Sequence, residues 1–185
     1  MAVAEDHWSG SSSIGKVQVF RFNDKSDDWM RLGIPIEGSF KWQGDYYGVQ
    51  VALSADGTRL AVSALAALTN GGAAVFDYDE PSNTWKQVGE DLIGDKGDIM
   101  NKLAMSKDGA RVAIASTYRE DGYVVTYGLR NDGWEVIGEQ LSSPAPDSED
   151  VRFGDDIALS ITGAMLAVGS SRAANVSLYD LQIDA

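Results

Sequence analysis

Histidine and cysteine, which most often act as base, nucleophile or transition-metal ligand, are scarce in this 185-residue chain. His7 is the only histidine and there is no cysteine, so no Ser-His pair, histidine-rich metal site or cysteine nucleophile is expected within one chain. The 28 aspartates and glutamates form many carboxylate pairs, yet no spacing singles out one pair for glycosidic chemistry. The sequence therefore predicts no catalytic residue, and a glycosidase-like enzyme remains the weakest of three alternatives.

Aromatic and arginine side chains are better candidates, and they point to binding. Trp, Tyr and Arg dominate the energetics of protein interfaces, and aromatic rings also stack on sugars. The candidate ligand or partner residues lie between apolar runs, and they are His7, Trp8, Trp42, Tyr46, Tyr118, Arg119 and Arg172. Any one of them is equally well explained as a cover over a structural element. The case for a site therefore depends on whether the fold brings their loops to one face.

The charge balance restricts the class of partner. The net charge of -13 repels phosphate backbones and anionic lipid headgroups, so we expect neither nucleic acid nor membrane partners. No apolar run approaches the roughly 18–20 residues that span a bilayer. The first ten residues include Glu5 and Asp6 where a signal peptide would be basic and then apolar, so no signal peptide is expected in this chain. A soluble chain, or part of a longer one, is predicted, and its compartment stays open.

The elements that would position the candidates form an internal repeat. The segment VALSADGTRLAVSA (51–64) recurs as LAMSKDGARVAIAS (103–116) and IALSITGAMLAVGS (157–170). The turn serines, Ser54, Ser106 and Ser160, therefore follow one another at intervals of 52 and 54 residues. In each copy two short apolar runs flank a Ser-x-Asp-Gly or Ser-x-Thr-Gly segment, which is typical of a hairpin turn.

Two further motifs recur in phase with these hairpins. Aromatic-rich runs appear as KVQVFRF (16–22), AAVFDY (73–78) and YVVTYGL (123–129), and each precedes a Trp-x-x-x-Gly segment. These segments begin at Trp29, Trp85 and Trp134. Four short strands in about fifty residues are typical of a β-propeller blade, which is apolar on both faces because it stacks between neighbours. We therefore predict an all-β propeller of four-stranded antiparallel blades, with these three tryptophans in the blade cores.

The order of these motifs resembles a known repeat family. Tyr47-Gly48, then VALS, the Asp-Gly turn, LAV and Trp-x-x-x-Gly are similar to the FG-GAP-like repeat of integrin α-type propellers, in a divergent Trp-x-x-x-Gly version. The copy that begins at Phe153-Gly154 matches best, whereas Ile99-Met100 replaces Phe-Gly in the middle copy. The resemblance implies that VALS is the innermost strand and Trp-x-x-x-Gly the outermost. It also favours an extracellular or cell-surface location.

The calcium loop of that family does not carry over to this chain. The family often has an Asp-x-Asp-x-Asp-Gly loop, but the corresponding turns here read SADGT, SKDGA and SITGA. One carboxylate, or none, does not supply the six to eight oxygens that Ca²⁺ prefers. The acidic stretch NDKSDD (23–28) lacks the glycine and is interpreted as a solvated turn. We therefore predict no cofactor and no metal site of the family type, and Ca²⁺ at another site stays an alternative.

The repeat also divides the chain. We expect a partial blade over 1–38, blades over 39–94 and 95–146, and a partial blade without its outer strand over 147–185, with 14 strands in all. Either four blades close on themselves, or the chain is an arc completed by additional blades or by self-association. Strands missing from both ends favour the arc.

In this topology the loops that carry the binding candidates share one face. The leading hypothesis is a non-catalytic interaction or scaffold module that binds a protein partner through this loop face. A carbohydrate-binding, lectin-like propeller is the alternative, with a glycan on the same face.

Overall fold

The chain is all β. A computed structural model describes residues 1–5, 15–38, 47–64, 71–94, 100–117, 122–131, 133–143 and 152–181. Within these ranges all regular structure is β-strand, arranged as four antiparallel sheets. The described residues contain no helix long and apolar enough to cross a membrane.

The two end sheets have three strands each, paired in chain order. The first sheet contains β1 (Ala2–Glu5), β2 (Lys16–Asn23) and β3 (Asp28–Glu37). The fourth contains β14 (Phe153–Leu159), β15 (Met165–Ser170) and β16 (Asn175–Asp180).

The two middle sheets have five strands each. The second contains β4 (Tyr47–Leu53), β5 (Arg59–Ala64), β6 (Gly72–Asp79), β7 (Thr84–Gln87) and β8 (Leu92–Ile93). The third contains β9 (Met100–Met105), β10 (Arg111–Ser116), β11 (Tyr123–Arg130), β12 (Gly133–Val136) and β13 (Leu141–Ser142). All four sheets lie within the ranges expected for the four blades.

The described residues contain sixteen strands, whereas 14 were expected. The two extra strands, β8 and β13, are two residues long and pair with the same edge of β6 and β11 as β7 and β12 do. Gly89 and Gly138 have positive φ values of 69° and 70°, which turns the outer strand away from its neighbour. The outer strand of each middle blade is therefore one segment in two short pieces.

The repeated Ser-x-Asp-Gly segment is a hydrogen-bonded turn. The buried Ser54 hydroxyl donates to the Asp56 carboxylate (2.6 Å) and accepts from the Arg59 amide (2.9 Å), while the Thr58 amide donates to Asp56 (3.0 Å). Ser106 and Asp108 repeat the first of these bonds at 2.5 Å. The Asp in each turn thus serves the backbone of its own hairpin, which explains why the motif recurs with the fold.

Three apolar clusters join successive sheets, and their composition alternates. The second, third and fourth sheets each turn larger side chains toward the preceding sheet; examples are Leu60 and Val62, Val112 and Ile114, and Leu166 and Val168. The faces of the second and third sheets that contact the following sheet carry mainly small residues, namely Ala61, Ala73, Ala104, Ala113 and Ala115. A bulky face against an alanine-rich face lets the sheets pack closely. Among the described residues no such cluster joins the first sheet to the fourth.

Candidate interaction surfaces

A tryptophan links the second sheet to the first. Trp85 on β7 donates its indole N–H to the carbonyl oxygen of Leu32 on β3 (3.0 Å). Gly33 lies beneath the ring, and a Cβ at that position would come within 2.8 Å of Trp85 Cδ1. The carbonyl of one residue and the following glycine thus form an indole-binding position on the outer strand.

The same arrangement links the third sheet to the second. Trp134 on β12 donates its indole N–H to the carbonyl oxygen of Val88 (3.1 Å), and a Cβ at Gly89 would lie 3.1 Å from Trp134 Cδ1. The Trp-x-x-x-Gly motif therefore has two functions. Its Trp binds the preceding blade, and its Gly receives the Trp of the following blade.

Trp29 departs from this pattern, and the prediction that it lies in a blade core is wrong. Its side chain is 47% exposed, and no described residue accepts a hydrogen bond from its indole. Trp29 occupies the same position in its sheet as Trp85 and Trp134, but no described sheet precedes the first. Phe22 packs on it in edge-to-face contact, at a centroid distance of 5.3 Å.

The exposed tryptophan belongs to a continuous surface. Phe20 and Phe22 alternate with the buried Val19 along β2, so they point away from the second sheet. Their partners across the ladder are Arg31 and Trp29, respectively. We call these four residues, Phe20, Phe22, Trp29 and Arg31, the blade-1 aromatic face. In the second sheet Phe76 and Trp85 occupy the corresponding face, and they are partly buried against the first sheet.

Two arginines link neighbouring sheets at the end of the blades that carries the turns of Ser54, Ser106 and Ser160. Arg59 binds Asp77 of its own sheet through Nε (2.6 Å) and Nη2 (2.7 Å), and its Nη1 donates to the Gly109 carbonyl of the third sheet (3.0 Å). Arg111 repeats the contact one blade later, with Nη1 3.1 Å from the Gly163 carbonyl. The hydrogen bonds to Asp77 raise the pKa of Arg59, burial opposes this shift, and the charge of Asp77 adds a smaller increase.

Three further groups have shifted pKa values with structural causes. The hydrogen bond from Lys86, and then that from Ser82, lower the pKa of Asp79. The hydrogen bond from Ser54, and then that from the Thr58 amide, lower the pKa of Asp56 below its usual range. Burial raises the pKa of Tyr47, and the Asp91 charge adds to the effect. The Asp56 carboxylate stabilises its own hairpin turn, whereas Tyr47 packs between the first and second sheets. In the described ranges no three His, Cys, Asp or Glu side chains form a group that could hold a metal ion.

Most of the sequence-predicted binding residues lie outside the described residues: His7, Trp8, Trp42, Tyr46, Tyr118 and Arg119. Arg172 is described, and it is exposed in the turn between β15 and β16. The shared loop face therefore stays a prediction. The blade-1 aromatic face and the arginine contacts were not anticipated, although Arg59 and Arg111 stand at the same place in two copies of the repeat.

A cleft of about 210 Å³ lies between the second and third sheets. Its walls include Met100, Tyr123, Val125 and Tyr127, with Gln140 at its edge. This volume is below the roughly 300–1,000 Å³ of typical small-molecule sites. The lining contains no carboxylate, histidine or amine, so it offers no strong acid–base pair.

Comparison with known proteins identifies the fold. No protein-family model matches the sequence, and no curated protein sequence matches it, so the FG-GAP-like resemblance stays a prediction. Solved structures do match. The β-propeller domain of Cps50 (Swd1) from Myceliophteria thermophila superposes with a TM-score of 0.54 at 13% identity, over 93% of this chain and 48% of that chain.

Two other solved structures are similar to the same extent. A putative 6-phosphogluconolactonase from Bacteroides uniformis has a TM-score of 0.60 at 14% identity, over 89% of this chain and 44% of that one. KlAtg21, solved with the coiled coil of AgAtg16, has a TM-score of 0.60 at 16% identity, over 92% and 50%. At these identities the likeness shows the fold alone, a β-propeller arrangement. The chain spans about half the length of each.

Proposed function

We propose that this chain is a non-catalytic β-propeller module that binds a protein partner. The observation that carries the proposal is the blade-1 aromatic face. Phe22 and Trp29 are 41% and 47% exposed, and Arg31 is exposed beside them. Aromatic rings and arginine are the side chains that contribute most to protein–protein binding, and exposed apolar patches mark interaction sites.

The chemistry of the described residues supports binding over catalysis. The titratable groups with shifted pKa values, Asp56, Arg59, Asp79 and Tyr47, are hydrogen-bonded within hairpins or packed between sheets. The propeller KlAtg21 is itself solved with a coiled-coil partner. The charge of -13 favours a basic partner, because opposite charges accelerate association. The loop face predicted from the sequence, with Trp42 and Tyr118, is a second candidate surface.

The test selects peptide ligands from a displayed random library on the whole immobilised chain and measures their affinities by calorimetry. We expect Phe22→Ala or Trp29→Ala to weaken the selected ligands by about tenfold or more, as for interface hot spots. Val136→Ala removes an exposed apolar side chain from the third sheet and serves as the matched control. It is expected to leave affinity unchanged.

Two other outcomes would replace the proposal. Saccharide binding on a glycan array, lost in Trp42→Ala, would make the chain a lectin-like module. Turnover of chromogenic glycosides would make it an enzyme. Ligands that bind Phe22→Ala and Trp29→Ala as tightly as the original chain would remove the blade-1 aromatic face from the proposal.

A further inference from the structure

The third sheet carries an indole-binding position that no described tryptophan occupies. The positions at Leu32-Gly33 and Val88-Gly89 each hold a tryptophan of the following sheet. Ile137-Gly138 is the corresponding pair on the third sheet, and Gly138 shares the positive φ of 70°. A Cβ built on Gly138 would meet no atom within 4 Å, whereas at Gly33 it would meet Trp85 at 2.8 Å. No described residue donates to the Ile137 carbonyl.

The strand that would fill this position is absent from the described part of the fourth sheet. There β16 is an edge strand, paired only with β15. It is nevertheless the counterpart of β6 and β11, because Leu181 N–H donates to the Ala164 carbonyl (2.7 Å) as Tyr78 N–H donates to Thr58 (2.8 Å). In the second and third sheets this edge carries the Trp-x-x-x-Gly strand.

The register of such a strand follows from the two filled examples. Trp85 lies opposite Tyr78, and Trp134 lies opposite Leu129, so a tryptophan added to β16 would lie opposite Leu181. The residue before the glycine, Val88 or Ile137, donates to the Val75 or Thr126 carbonyl (2.8 and 2.9 Å). The equivalent acceptor on β16 is the carbonyl of Leu178.

We propose that β16 and the Ile137-Gly138 position together bind an extended segment of another polypeptide that carries Trp-x-x-x-Gly. The segment adds to the edge of β16 as an antiparallel strand, and its indole donates to the Ile137 carbonyl above Gly138. Main-chain hydrogen bonds give such strand addition its affinity, and the side-chain position gives it selectivity. The surface is separate from the blade-1 aromatic face, so this inference and the proposed function fail independently.

The test uses the whole chain and a synthetic peptide of its own residues 81–93, PSNTWKQVGEDLI, in which Trp85 and Gly89 supply the motif. We expect 1:1 binding by calorimetry, weakened at least about 30-fold when the peptide tryptophan is replaced by alanine. On the protein, Gly138→Ala places a methyl group where the ring would lie and should weaken binding similarly. Gly57→Ala also lies at positive φ in open space, and it should leave binding unchanged.

Amide hydrogen exchange reports the strand itself. The Val75 and Thr126 carbonyls accept hydrogen bonds at the strand edge that faces the outer strand. The amides of β16 that point to the equivalent edge are those of Val176, Leu178 and Asp180. The peptide should slow exchange at these three amides and not at Ser177. Equal binding of the tryptophan and alanine peptides, or no binding of either, would overturn the proposal. A dimer of the free chain that Gly138→Ala dissociates would also overturn it, because a second copy would then be the occupant.

Discussion

The indole nitrogen of Trp85 lies 3.0 Å from the carbonyl oxygen of Leu32, across the boundary between two sheets. The bond joins residues 53 positions apart, and it recurs between Trp134 and Val88 over 46 positions. Because the outer strands supply both a tryptophan and a glycine, the first three blades are joined by one repeated contact. The contact explains why tryptophan and glycine recur together at a fixed spacing.

Substitutions of the tryptophans should distinguish the stability that ring packing contributes from that of the indole hydrogen bond. Trp85→Phe keeps most of the ring but leaves the Leu32 carbonyl without its donor, which should cost about 0.5–1.5 kcal/mol of unfolding free energy. Trp85→Ala should cost about 2–4 kcal/mol, because it also removes apolar contact with the first sheet. Trp29→Ala, at an exposed position, should cost about 1 kcal/mol or less. Urea unfolding measures all three, and equal losses for Trp29→Ala and Trp85→Ala would contradict the assignment.

Replacing a glycine that lies beneath a tryptophan ring should destabilise the fold more than replacing Gly138, which no described ring covers. Gly33→Ala and Gly138→Ala each place alanine at positive φ, which costs about 1–2 kcal/mol. Only Gly33→Ala also displaces the Trp85 ring, adding about 1–3 kcal/mol. Thermal melts of the two variants therefore distinguish the cost of the clash with the Trp85 ring from the cost of backbone strain. The excess at Gly33 should disappear when Trp85 is already alanine, as in a double-mutant cycle.

Arg59 should contribute to the joint between the second and third sheets. Arg59→Ala removes the paired bonds to Asp77 and the bond to the Gly109 carbonyl, so we expect a loss of about 1–3 kcal/mol. Arg59→Lys keeps the charge but not the planar fork, and should recover less than half of it. Arg21→Ala, at an exposed position, is the control. Equal stability of the three variants by chemical unfolding would remove Arg59 from the joint.

The turn predicts an acid dependence of stability. Because hydrogen bonds hold the pKa of folded Asp56 below the ordinary value of 3.8, the ionised carboxylate stabilises the fold above that pH. This contribution is lost as pH falls through the lowered pKa. The original chain should therefore be more stable than Asp56→Asn at about pH 6, and the difference should shrink as pH falls below 3.8. Melting temperatures across this range measure it, and a gap independent of pH would argue against the turn as a titrating element.

The repeat made the fold predictable, because stacked blades place the same residue types at the same structural positions. The hairpins around Ser54 and Ser106 and the all-β propeller class follow from that regularity. The exposure of Trp29 could not be read from the motif, since burial depends on whether a sheet lies on the preceding side. The motif specifies the residues of one blade, whereas the burial of a side chain also depends on the neighbouring blade.

The candidate surfaces could likewise be predicted only in part from the sequence. Side-chain type pointed to aromatic and arginine residues, and the described surface does expose Phe22, Trp29 and Arg31. Which aromatic residues form a surface depends on strand alternation and on the neighbouring sheet, and neither is encoded in composition. The position at Gly138 that no described tryptophan occupies was invisible for the same reason, because its sequence is like that of the filled positions.

Hydrogen exchange of the indole N–H groups tests the central claim, the tryptophan contact between successive blades, most directly. The side-chain signals of ¹⁵N-labelled protein are assigned with single Trp→Phe variants, and their exchange in D₂O is followed by NMR. The structure predicts slow exchange for Trp85 and Trp134, whose N–H groups bind the Leu32 and Val88 carbonyls, and fast exchange for Trp29. Exchange of Trp85 or Trp134 as fast as that of Trp29 would contradict it.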